Sequence, residues 1–86
     1  MPTVSRFFGL AIRMYPRDHA PPHFHAHHGG GEAVVAIETG ALLQGRLSVR
    51  AHRLVVEWAA LHKQELIENW NRAQRRLLPL PIAPLE

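Results

Sequence analysis

Two histidines one residue apart, His23 and His25, follow an aspartate–histidine pair, Asp18-His19, in a stretch broken by Pro16, Pro21 and Pro22. A His-x-His pair on a strand projects both imidazoles from one face, about 6–7 Å apart at the backbone. Acid/base chemistry on a phosphodiester needs a base, an acid and a cation. His23, His25 and His19 with Arg13 supply these, and Asp18 can orient a ring and fix its tautomer. The alternative is a metal set of His23, His25 and His27, with Asp18 or His19 as other candidates for the third ligand. A polar face with a structural or partner-facing role is the third reading. On the first, no cofactor is required; on the second, the cofactor is a divalent metal.

These side chains need elements to carry them. From Phe8 to Met14 the even positions Phe8, Leu10, Ile12 and Met14 are apolar, which is strand alternation. The prolines forbid a regular element between Tyr15 and Pro22. His23 to His28 alternates again, with Phe24 and Ala26 on one face and His23, His25 and His27 on the other. Antiparallel pairing of these strands must match their apolar faces. The opposite face then carries Arg13 together with the histidines. Gly29-Gly30-Gly31 lacks the Lys and Ser/Thr of a phosphate loop and reads as a turn.

Ala33, Val35 and Ile37 give a third strand. Thr39-Gly40 marks a turn, and Leu42 to Leu47 a weaker fourth strand in which Gly45 signals a bulge or close approach. Ser48 is a candidate N-cap for a long helix. Ala51, Leu54, Val55, Trp58, Leu61, His62, Leu66, Trp70 and Ala73 form its apolar stripe. The length points to a kink near His62 or to two successive helices. Glu68 and Arg72 are spaced as an (i, i+4) pair, and Arg72, Arg75 and Arg76 suit the negative end of the helix dipole. Pro79, Pro81 and Pro84 turn residues 79–86 into an extended apolar tail that packs on the body or on a partner.

The expected architecture is α+β: an antiparallel sheet of about four strands, with a long, kinked C-terminal helix on one face. The 86 residues make a single domain, 1–86. Without cysteines, a disulfide scaffold, a cysteine zinc finger and a thiol nucleophile are excluded. Ten Lys plus Arg against seven Asp plus Glu leave a net charge of +3, with seven histidines besides. That balance permits RNA binding, and Tyr15 and Phe7 are candidates for stacking on bases. No targeting or membrane segment is read, so the expected location is cytoplasmic. A small core with an apolar tail also suits a homo-oligomer or a tight complex with a partner protein.

The strings Met1-Pro2-Thr3-Val4-Ser5-Arg6-Phe7-Phe8-Gly9, Ile12-Arg13-Met14-Tyr15, Asp18-His19 and Pro21-Pro22-His23-Phe24-His25-Ala26 resemble the signature of the family called domain of unknown function 4160. Ile37-Glu38-Thr39-Gly40, Arg50-Ala51, Val56-Glu57-Trp58-Ala59, Leu61-His62, Glu65-Leu66 and Asn69-Trp70 extend the resemblance along nearly the whole chain. His27-His28 and the glycine run depart from it. The resemblance implies a small bacterial protein, often encoded beside a member of domain of unknown function 2442. It implies a toxin–antitoxin-like pair, with this chain as the toxin-like component and a cognate partner protein. A non-enzymatic antitoxin or adaptor is the alternative.

Overall fold

A computed structural model describes residues 3–86; the Met1-Pro2 start of the matching string lies outside the described residues. The elements run β1 (Thr3–Phe7), β2 (Leu10–Arg13), β3 (His23–His28), β4 (Gly31–Ala36), β5 (Leu42–Gly45), α1 (Val49–Leu61) and α2 (Lys63–Gln74). The strands form one antiparallel meander in the order β1-β2-β3-β4-β5. The fold is the expected α+β arrangement, with β1 as one strand more than the alternation had resolved.

The extra strand comes from Phe8-Gly9. Both have positive φ, 48° and 80°, the pattern of a two-residue hairpin turn that follows the sheet's own twist. Phe8 therefore stands exposed at the turn and not on the apolar strand face, while Phe7 is buried against the ring of Trp58. Phe7 is thereby removed as a base-stacking surface.

Register decides what each face carries. Ile12 pairs with Ala26, and Phe24 with Val35, on the core face. Ala51, Val55, Trp58, Leu66 and Trp70 of the two helices close over that face. On the other face, one row runs Thr3, Arg13, His25, Val34, Gln44. The next row runs Arg6, Ala11, His27, Glu32.

Ser48 caps α1, its Oγ accepting from the Ala51 N–H at 3.0 Å. The expected break falls at His62, which ends α1 and begins α2. Arg72 does not reach Glu68; its Nε donates to the Leu78 carbonyl at 2.8 Å and ties the tail to the helix end. Ile82 and Leu85 are buried, so the tail packs on the body. It is pinned by Ile82 N–H to the Val4 carbonyl, 2.8 Å, and Trp58 Nε1–H to the Ala83 carbonyl, 2.8 Å. No helix among the described residues is long and apolar enough to cross a membrane.

Candidate functional site

The loop after β2 folds back onto the end of α2. The Arg17 N–H donates to the Ala73 carbonyl at 3.0 Å, and Gln74 Nε2 donates to the Asp18 carbonyl at 2.9 Å. These two bonds fix the backbone on both sides of the Asp18 side chain. Its Oδ2 lies 2.8 Å from His23 Nε2 and 3.1 Å from His25 Nε2. Its Oδ1 accepts from the His19 N–H at 3.0 Å and stands 3.2 Å from His19 Nδ1.

Each histidine is held from behind. His23 Nδ1 donates to the Pro21 carbonyl at 2.7 Å. His25 Nδ1 lies 3.0 Å from Glu32 Oε2. Trp70 packs against the His23 ring, with centroids 5.1 Å apart, and Tyr15 meets His25 edge-on at 4.5 Å. The His23 side chain is 3% exposed, those of His25 and Asp18 are 16% and 17%, and that of His19 is 90%. The centre is thus sheltered on the His23 side and approachable from the sheet face.

Burial alone would raise the pKa of the Asp18 carboxyl. Hydrogen bonds from His25 and His23, the His19 N–H and the charge on His23 outweigh that penalty and lower it. The group is a carboxylate at working pH, shared between two imidazoles.

Of the five residues expected to carry chemistry, Asp18, His23 and His25 converge, and His19 flanks them on Asp18's other oxygen. Arg13 sits directly across from His25 in the sheet, with its Nε donating to Thr3 Oγ1 at 3.3 Å. It is paired with neither Glu32 nor Glu38. His27 does not join the centre. Its Nε2 is buried and 3.5 Å from Glu32 Oε2, too far for a well-formed hydrogen bond. The third place beside His23 and His25 therefore belongs to Asp18. One ligand atom from each of Asp18, His23 and His25 lies within 4.8 Å of the others, so these are the residues that could hold a metal ion.

Sequence reasoning missed Glu32 as the partner of His25, although its register opposite His27 on the same face could have suggested it. It read Trp70 only as core. Gln74 had no readable signal, because its role depends on where the loop meets α2.

The fold and site together define a small α+β domain with a histidine–carboxylate centre on one end of a half-open sheet. Its family is matched by the model described as Domain of unknown function (DUF4160), over residues 9–71, and the chain belongs to that family. The matched span contains Arg13, Asp18, His19, His23, His25 and Glu32. No curated protein and no solved structure matches the chain.

Proposed function

We propose that this chain is the toxin-like component of a bacterial toxin–antitoxin pair, acting in the cytoplasm by binding and cleaving RNA at the Asp18–His23–His25 centre. One observation carries the reading. Arg13 lies opposite His25 on the open face, with Arg6 in the neighbouring row. Cations share the face of the polar centre, and none of the described elements covers that face. An RNA phosphate bound at Arg13 would sit next to His25, where a proton can be taken from or given to an oxygen of the phosphodiester. Tyr15, edge-on to His25, is the aromatic placed to meet a base. A cognate partner protein would suppress the activity by covering this face.

A second reading, a non-enzymatic binding module such as an antitoxin or adaptor, is favoured by His23. Both of its ring nitrogens are engaged and its side chain is buried, as befits a structural anchor.

The test is tightly induced expression in a bacterial host, with wild type compared against the His23→Ala/His25→Ala double variant at matched soluble levels. The proposal expects growth arrest and RNA cleavage from wild type alone. Arg13→Ala should weaken RNA binding and reduce its salt dependence by about one counterion. Equal growth with both soluble proteins, in a host without a neutralising homologue, would move the assignment to the binding module.

A further inference from the structure

We propose that Asp18, His23 and His25 hold a divalent transition-metal ion of the zinc type. The proposal goes beyond the RNA reading, since the ion would be held whatever the substrate. It stands on an accounting of donors and acceptors. The Pro21 carbonyl can only accept, so His23 Nδ1 carries a hydrogen. A neutral ring with its hydrogen there presents a lone pair at Nε2, and that lone pair is aimed at an oxygen of the Asp18 carboxylate, 2.8 Å away. His25 repeats the arrangement: Nδ1 faces Glu32 Oε2 and Nε2 faces the same Asp18 oxygen. Two neutral rings cannot satisfy these four contacts. Both rings would have to be doubly protonated, one of them almost wholly buried.

A cation among Asp18 Oδ2, His23 Nε2 and His25 Nε2 resolves the conflict. Three lone pairs then point at the ion, and the two Nδ1–H groups keep Pro21 and Glu32 as acceptors. Metal-bound histidines are held in this way, with the outer nitrogen donating to a backbone carbonyl or a carboxylate that fixes the tautomer and raises ligand strength. Two imidazoles and one carboxylate suit zinc and its first-row neighbours, whereas calcium and magnesium prefer oxygen ligands. Three protein ligands leave a position open, as in catalytic rather than structural zinc sites. His19 is a further donor beside the set, its Nδ1 3.2 Å from the other Asp18 oxygen and its ring 5.6 Å from that of His23.

The experiment is calorimetric titration of Zn²⁺ into the full chain, freed of metal by dialysis against chelator, near neutral pH. One ion should bind per chain. His25→Gln and Asp18→Asn should weaken it by about a hundredfold or more, and Glu32→Gln by about 10–100-fold as a loss of outer support. His62→Gln should bind as wild type does. In parallel, Zn²⁺ should move the imidazole NMR signals of His23 and His25 in wild type while leaving that of His62 in place. This second measurement decides the matter even where a variant fails to fold.

No uptake by folded wild type overturns the proposal, as does uptake that leaves the His23 and His25 signals unmoved. So does undiminished affinity in folded His25→Gln and Asp18→Asn. Zinc bound at this site by a protein that cleaves no RNA overturns the RNA reading and supports the metal site. Growth arrest that needs His23 and His25 in a chain binding no zinc does the reverse.

Discussion

The indole of Trp70 stands 5.1 Å from the imidazole of His23, so one side chain of the helical core forms the back wall of the polar centre. Stability and site geometry are coupled through that contact. Trp70→Ala should cost about 3–5 kcal/mol, the usual loss for a buried large aromatic, and would unfold much of so small a domain. Trp70→Phe should cost less, keep the fold and displace the His23 ring signal in NMR. Denaturant unfolding read alongside that spectrum checks both. A His23 signal unchanged in Trp70→Phe would show that the wall does not position the ring.

Asn69 is 2% exposed and holds Leu80 by both ends of its side-chain amide. Its Nδ2 donates to the Leu80 carbonyl and its Oδ1 accepts the Leu80 N–H, each at 2.8 Å. Asn69→Ala removes both hydrogen bonds to the Leu80 backbone and should cost about 2–3 kcal/mol. The tail should loosen first. Amide exchange at Leu80 and Ile82 should rise well above that of β3, whereas uniform acceleration would mean that the tail has no stability of its own to lose.

The sheet face was legible because alternation is a strict signal. Once Ile12 and Ala26 had to share the core, Arg13 and His25 were forced onto the other side. The break at His62 was legible from helix length. β1 was hidden because Phe8 continues the alternating pattern of β2 while belonging to the turn. Asp18 and His19 could be named as candidates, but their convergence on His23 and His25 depends on a loop whose anchors are the Ala73 carbonyl and the Gln74 side chain. Those contacts join residues far apart in the chain, and no local pattern encodes them. The same holds for Arg72, whose (i, i+4) partner lost to the Leu78 carbonyl when the tail turned back.

Asp18 gives the fold a defined acid sensitivity. Its carboxyl titrates below its ordinary value because the hydrogen bonds from His25 and His23 outweigh burial. A depressed folded-state pKa means that ionised Asp18 stabilises the fold above the unfolded-chain value of about 3.9, and that this contribution is lost as pH falls through the folded-state value. The gap in denaturant midpoint between chelator-treated wild type and Asp18→Asn should therefore move against wild type on acidification below about pH 4. A gap that stays constant down to strongly acid pH would mean that the carboxylate is not what holds the loop.

Gly45 ties the edge strand to the site through Glu32. Its φ is +78°, and a Cβ added there would lie 2.1 Å from the Glu32 carbonyl oxygen and 3.0 Å from Ala33 Cα. Gly29 offers a control with φ +59° and nothing within 4 Å of the added atom. Gly29→Ala should cost only the left-handed backbone penalty, about 1–2 kcal/mol. Gly45→Ala carries that penalty plus the displacement of Glu32, and should be the more destabilising of the two by unfolding midpoint. Because the Glu32 carboxylate faces His25 Nδ1, the same change should shift the His25 ring signal, which Gly29→Ala should leave in place. Equal losses from the two substitutions would show that β5 moves aside freely and that Glu32 is not held by it.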